Sequence, residues 1–270
     1  MPLVRKKTKT ILLHRLAETY IGSNLRAALA RIGDVFVPPG CPLCRAFLDG
    51  QYGVCGACWQ SLSFITGPIC RVSGHPMAVD LGEATISLAA TLHPPPYRMA
   101  RAAFAYEGSA ADLIKRMKFG DRPDLARLLA PHMVRAGGEM MDKRALYVPV
   151  PLHRWRLLAR RFNQSAELCR ALSERTGHGV CVEGLRRIRA TRRQVGLTRS
   201  GRRRNLRGAF DVAAKKAPFM AGRPIILVDD VFTTGATIEA CTRVLLQAGA
   251  LRVDVLTAAR VVMPEHIDLS

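Results

Sequence analysis

The sequence lacks any uncharged apolar run approaching the eighteen or so residues a membrane span requires. No transmembrane helix is therefore expected. It is poor in acid, with 21 Asp and Glu against 41 Lys and Arg, for a net charge of +20 over 270 residues. That imbalance points to nucleic acid or a polyphosphate ligand ahead of mere solubility charge. From Leu152 to Gly208 lysine is absent altogether, while there are 16 arginines and 3 acids, Glu167, Glu174 and Glu183. Arginine without lysine points to planar, bidentate recognition of phosphate or carboxylate rather than a merely solvated surface. The N-terminus, MPLVRKKTKTILLHRLAETYIG, lacks the uninterrupted apolar stretch and small-residue cleavage site of a signal peptide, because His14, Arg15 and Glu18 break it. A basic tail leading into a helix, on a cytoplasmic protein, is the expectation. No segment reads as a repeat of another. What is present, 49% hydrophobic residues with a mean hydropathy of +0.06, suits a globular chain with ample material for a core.

Eight cysteines on a chain expected in the cytoplasm argue against a disulfide framework. Four are paired by spacing, CPLC at Cys41 and Cys44 and CGAC at Cys55 and Cys58. The pattern C-x2-C-x10-C-x2-C brings four thiolates to one ion, and proline and glycine beside them allow turns that aim amides at sulfur. Four thiolates leave no open coordination position, so the implied Zn²⁺ is structural. Cys70 and His75, in CRVSGHP, suggest the remnant of a second knuckle, but they have no clear partner set and are left out of the ligands. Cys169, Cys181 and Cys241 stand in apolar patterns and are assigned to the core.

Three regions follow along the chain. Residues 1–37 form the basic tail and an amphipathic helix, 38–80 the cysteine module, and 81–270 a larger domain. Within the last, RAAFAY, ALYVPVPL, RPIILVDD and LRVDVLTAARVV read as strands. Helices lie between them: SAADLIKRMKFG capped by Ser109, PDLARLLAPHMVRAGG opening near Pro123, NQSAELCRALSERTG between Asn163 and Gly177, and GATIEACTRVLLQAG. Alternating β and α with wholly apolar strands predicts an α/β fold, a mostly parallel sheet flanked by helices. GLRRIRATRRQVGLTRSGRRRNLRGAF is polar and weakly periodic, and so long an irregular segment in a compact domain is usually a working loop.

The stretch IILVDDVFTTGAT ends an aliphatic run in two adjacent aspartates and follows them with threonines and glycine. Carboxylates side by side repel, and threonine and glycine extend a strand poorly, so the combination suggests a site. In an open parallel sheet, ligands bind beyond the carboxyl ends of the strands. Thr233, Thr234, Gly235, Ala236 and Thr237 form the turn into the next helix, where unpaired N–H groups and the helix dipole favour an anion. A sugar phosphate reconciles the two halves. The amides hold its phosphate, and Asp229 and Asp230 accept from the ribose hydroxyls.

The same stretch resembles the phosphoribosyl diphosphate (PRPP) signature of type I phosphoribosyltransferases. Together with the cysteine module, KFGDRPDLARLLA at 118–130, VPVPLHRWRLLARRFNQSAELCRAL at 148–172 and TRRQVGLTRSGRRRNLRGAF at 191–210, it resembles the ComF branch of that superfamily, associated with bacterial competence. The resemblance runs from Cys41 to Arg260. It departs at Arg161, where members commonly have glycine, and at Cys70, which stands single where a further pair is expected and leaves a second zinc open.

The resemblance implies a type I phosphoribosyltransferase-like domain behind a small zinc-ribbon-like module. It assigns Asp229 and Asp230 to the ribose hydroxyls as catalytic residues, and Thr233 to Thr237 to the 5′-phosphate. Val150, Pro151 and Leu152 become the diphosphate loop, where a strained peptide would turn its N–H to the ligand. Arg154, Arg192, Arg193 and Arg199 become diphosphate contacts, the last three on a loop closing over the site. The implied reaction is phosphoribosyl transfer from PRPP with Mg²⁺ to an unidentified acceptor. No histidine or glutamate stands out as general base, and Pro2 after the initiator Met speaks against a glutamine amidotransferase with an N-terminal cysteine nucleophile. The alternative is a module of the same fold without turnover, binding single-stranded DNA and a DNA-uptake motor, a competence helicase-like ATPase. Homo-oligomerisation is left open.

Overall fold

The computed structural model describes residues 40–48, 53–82, 85–152, 162–189, 201 and 205–262. The chain divides between Trp59 and Gln60 into two compact units. In the first, Cys41 opens a tight hairpin: its N–H donates to the Ala46 carbonyl (2.7 Å), and the Arg45 N–H returns to the Cys41 carbonyl (2.9 Å). Arg45 takes a left-handed φ of 67° to close the turn. The short helix α1 (Gly56–Gln60) starts directly after Cys55.

The second unit begins with another hairpin, at Ile69–Pro76, and a short helix α2 (Leu88–Leu92) capped by the Ser87 hydroxyl. Seven strands are described: β1 (Ala100–Ala105), β2 (Leu146–Pro149), β3 (Gly179–Val180), β4 (Leu185–Arg187), β5 (Phe210–Val212), β6 (Pro224–Phe232) and β7 (Arg252–Arg260). Five form a sheet in the order β1-β7-β6-β2-β3, every neighbouring pair parallel. β4 and β5 pair antiparallel apart from it.

The longer helices are α3 (Gly108–Phe119), α4 (Leu125–Ala136), α5 (Gln164–Thr176) and, after the one-turn α6 (Ala217–Met220), α7 (Ala236–Gln247). Helices α4 and α5 pack on each other and on the sheet, while α7 packs on β5, β6 and β7. Ile225, Leu227, Val253, Val255, Leu146 and Val148 share an apolar cluster with Ile238, Cys241 and Leu245 of α7. A parallel strand covered on both faces needs apolar residues at consecutive positions rather than alternate ones. Ile225 to Val228 are accordingly all fully buried.

Several expectations hold and several change. Asn163 caps α5, accepting from the Ser165 N–H at 3.1 Å, and Gly177 closes it with φ 73°. Cys169, Cys181 and Cys241 are buried, and burial pushes all three thiols up. Ser109 is not the cap of α3. Gly108 adopts φ 45°, so the helix starts one residue earlier behind Glu107, and the Ser109 hydroxyl lies 2.7 Å from that of Ser61. The strand carrying the aspartates does not stop at Asp230 but runs on to Phe232, because β7 continues beside it. The long arginine-rich segment is not irregular throughout, since its ends are held by β4 and β5. The expectation of no internal repeat also fails, because the hairpin at Cys70 repeats the hydrogen bonds of the one at Cys41. The helix expected within 1–37 lies outside the described residues. Among the described residues, no helix is long and apolar enough to cross a membrane.

Candidate functional site

The site arises from unequal strand lengths. β6 pairs with β7 as far as Phe232 and Arg260, but with β2 only as far as Val228 and Pro149. Beyond the end of β2, Asp229 stays in register with β7, opposite Thr257. The Asp229 carboxylate accepts from the Ser165 hydroxyl and from the Asp230 N–H, each at 2.9 Å. Burial, then the neighbouring Asp230 charge, push its pKa up to about 7 against the pull of the Asp230 N–H, Lys118 and Ser165. Asp230 instead pairs with Lys118, whose ammonium lies 2.9 Å from Oδ1. Two adjacent carboxylates are thus given different partners, one a hydroxyl and one a cation.

After Phe232 the chain turns into α7. Thr233 and Thr234 are exposed and Gly235 is buried at the N-cap with φ 77°. A Cβ there would meet the Phe232 ring at 3.0 Å, in a backbone conformation side chains seldom adopt. Gly235 is thus required both by the turn and by the ring beneath it. Ala236 and Thr237 open a twelve-residue helix, so the first amides of α7 form the N-terminal end of a full dipole.

Val150, Pro151 and Leu152 follow β2 beside the aspartates. The Val150 N–H donates to the Val228 carbonyl at 2.9 Å, and proline has none, so an N–H turned outward is not Val150's. The Asn163 side-chain amide donates to the Val150 carbonyl at 3.1 Å and ties this segment to the start of α5. Arg154, Arg192, Arg193 and Arg199 lie outside the described residues.

Sequence reasoning missed Lys118 and Ser165. Lys118 had a signal: it continues the stripe of Ala111 and Ile114, both buried, where α3 should present an apolar residue. Ser165 had none, since a serine in the first turn of a capped helix is ordinary.

In the first unit the sulfurs of Cys41, Cys44, Cys55 and Cys58 all lie within 4.8 Å of one another, Cys44 and Cys55 at 3.5 Å. A tetrahedron with Zn–S bonds of about 2.3 Å has edges of about 3.8 Å, so the four fit one zinc ion. Burial alone would raise the Cys41 thiol, but N–H groups of Cys44, Cys55 and Leu43 hold it at about 6. Cys58 is pushed up to about 12 by desolvation and by the sulfurs beside it. Four cysteine sulfurs converging this closely suit a bound cation, which would take them as thiolates.

Residues 32–89 match the double zinc ribbon domain. The chain is 32% identical over 234 residues to the DNA utilization protein YhgH of Escherichia coli O157:H7, covering 83% of this chain and 98% of that one. It is 28% identical over 204 residues to competence protein ComFC of Bacillus subtilis, covering 73% and 79%. Among solved structures, the allosteric regulatory enzyme of purine biosynthesis matches 53% of this chain and 30% of its own, at 20% identity and a TM-score of 0.34. The protein is an α/β protein whose parallel sheet is flanked by helices, with a double zinc ribbon at the N-terminal side of the sequence. By its relationship to YhgH and ComFC the chain belongs to the ComF family.

Proposed function

We propose that the cleft at Asp229 and Asp230 binds PRPP with Mg²⁺ and transfers its phosphoribosyl group to an acceptor. The observation that carries this is the juxtaposition of a differentiated carboxylate pair with a glycine-closed helix N-terminus at the open end of one strand. Asp229 and Asp230 would accept from the ribose hydroxyls. The amides and hydroxyls of residues 233–237 would hold the 5′-phosphate, and residues 150–152 would border the diphosphate. Arg154, Arg192, Arg193 and Arg199 would add charge to that end. In the transfer, the bond from C1′ to the acceptor forms as the bond to diphosphate breaks, and positive charge developing on the ribose favours nearby carboxylates. Mg²⁺, which suits diphosphate oxygens and water, would neutralise the leaving group when bound. Residues 81–270 would supply this domain and 38–80 the zinc module. A rise in melting temperature with PRPP and Mg²⁺, absent with either alone, tests the binding. Pyrophosphate release with a panel of nucleophiles tests turnover. No thermal response to the pair would refute the proposal.

A binding role without turnover is favoured by a separate observation, the concentration of 16 arginines between residues 152 and 208 in a chain whose relative is named for DNA utilization. In that case single-stranded DNA would track the basic segment, and a helicase-like ATPase of DNA uptake would be the protein partner. PRPP binding without pyrophosphate release, together with salt-sensitive DNA binding, distinguishes it.

A further inference from the structure

The hairpin at Cys70 and the short helix α2 copy the zinc-holding unit bond by bond. In each hairpin the cysteine N–H donates five residues onward, Cys41 to Ala46 and Cys70 to His75, both at 2.7 Å. The N–H four residues on returns to the cysteine carbonyl, from Arg45 at 2.9 Å and from Gly74 at 2.7 Å. That fourth residue is left-handed in both, with φ 67° at Arg45 and 68° at Gly74. An antiparallel bridge closes each at the same offsets, Gly40 to Phe47 and Ile69 to Pro76. Each is followed by a five-residue helix whose first return bond reaches the residue before it, Trp59 to Cys55 at 2.8 Å and Thr91 to Ser87 at 3.0 Å.

This register pairs Cys70 with Cys41, Ser73 with Cys44, Ser87 with Cys55 and Ala90 with Cys58. The two-residue spacing within each pair is kept. Around sulfur the copy persists: N–H groups of Cys44 and Cys55 are directed at Cys41, and those of Ser73 and Ser87 reach the Cys70 sulfur at 3.3 and 3.2 Å. The ligand chemistry does not persist. A thiol, two hydroxyls and a methyl group cannot supply the four thiolate or imidazole donors of a closed zinc site. The Ser87 hydroxyl is already committed, accepting from the Ala90 N–H at 3.3 Å to cap α2. His75 is no substitute, since it occupies the position of Ala46, which is not a ligand. Among the described residues, the four cysteines of the first ribbon are the one such ligand group.

We infer that the second half of the double zinc ribbon is a metal-free copy, held by hydrogen bonds where the first is held by zinc, and that it serves as a brace for the candidate phosphate turn. The interior is closed, with Cys70, Ser87 and Ala90 all buried. Its backbone is stitched to the sheet: the Ala100 N–H donates to Val72 at 2.8 Å and the Arg101 guanidinium to the Arg71 carbonyl at 2.9 Å. Gly74 permits this approach, since a Cβ there would fall 2.2 Å from the Ala100 carbonyl oxygen. The Ser73 carbonyl accepts from Arg260, the last residue of β7. The Arg260 guanidinium lies over the Phe232 ring at 4.9 Å, and that ring is the one beneath Gly235. A brace without metal keeps this end of the sheet independent of zinc supply.

Zinc per chain, counted by native mass spectrometry after Zn²⁺ reconstitution and removal of excess ion, tests the inference. One ion is expected in the native protein and in Cys70→Ser, and none in Cys41→Ser. The Ser73→Cys, Ser87→Cys, Ala90→Cys variant should hold two, because the copied backbone would again present four thiolates. Two ions in the native protein, or loss of the ion in Cys70→Ser, would overturn it. So would a folded triple variant that still holds one. If the triple variant does not fold, the native and Cys70→Ser counts decide alone. The brace is read by hydrogen exchange: the Cys70, Gly74 and Ser87 amides should stay protected in Cys41→Ser, and their exposure there would refute zinc independence.

Discussion

The Lys118 ammonium stands 2.9 Å from Asp230 Oδ1, joining the last turn of α3 to the strand that carries both aspartates. Both side chains are largely buried, at 17% and 12% exposure. Removing one partner leaves the other charged in a poorly solvated place. Lys118→Met should therefore destabilise the fold by about 1–3 kcal/mol, the cost of an unsatisfied buried polar group. In a double-mutant cycle with Asp230→Asn, urea unfolding should show the losses to be non-additive. Additive losses would mean the pair contributes nothing beyond its separate parts.

Asp229 makes stability fall with rising pH. Its folded pKa is raised to about 7 from the usual 3.8, so between those values the native state binds a proton that the unfolded chain has released. This contribution is complete below about pH 4 and is lost as pH rises towards 7. Asp229→Asn removes the titration and keeps an acceptor for Ser165. The variant should match the native protein near pH 4 and melt higher at pH 8, by roughly 2–4 °C for each kcal/mol recovered. An equal difference at both pH values would contradict the raised pKa.

The proposed ribose and phosphate contacts should fail differently. Asp229→Asn and Asp230→Asn should each weaken PRPP by roughly 1.5–3 kcal/mol, the worth of hydrogen bonds to a charged group. Gly235→Val should weaken ribose 5-phosphate as well as PRPP, because it strains the turn and drives a side chain into the Phe232 ring. Titration calorimetry with both ligands separates the cases. Undiminished PRPP binding in the double aspartate variant would remove the assignment.

Cys41, Cys44, Cys55 and Cys58 should together hold about one Zn²⁺ per chain, lost on Cys→Ser change at any of them. Thermal unfolding of the zinc-free protein should retain the main transition, since the parallel sheet has its own core. Disappearance of that transition with the metal would show that the domain depends on the ion.

The arginine segment should bind single-stranded DNA with an affinity that falls steeply as salt rises, each neutralised phosphate releasing counterions. Arg202→Ala, Arg203→Ala and Arg204→Ala together should flatten that dependence, measured by fluorescence anisotropy across a salt series. An unchanged slope would assign those arginines to something other than DNA.

Much of the fold was legible because its signals are local. Asn163 and Gly177 bounded α5 as written, since a cap and a left-handed closure involve neighbours in sequence. Ile225 to Val228 announced a strand buried on both faces by having no polar alternation. Where β6 ends was not legible, because β7, twenty residues further on, prolongs it past the aspartates. The same holds for β3, β4 and β5, two or three residues each, which exist only by pairing with distant partners. The ribbon copy showed in the sequence only as a remnant at Cys70, because just one of its four ligand positions kept cysteine. Its likeness is carried by backbone bonds and the sign of φ, which residue identities do not record.

By itself the sequence determined the zinc set and the chemical capacity of the acidic strand, because spacing places thiols and glycine closes a turn without help from afar. The tertiary structure alone decided that Asp229 meets Ser165 and Asp230 meets Lys118, contacts spanning 64 and 112 positions. The two carboxylates are chemically identical in the sequence. What separates them is packing, since burial raises the pKa of Asp229 while the sheet brings Lys118 against Asp230.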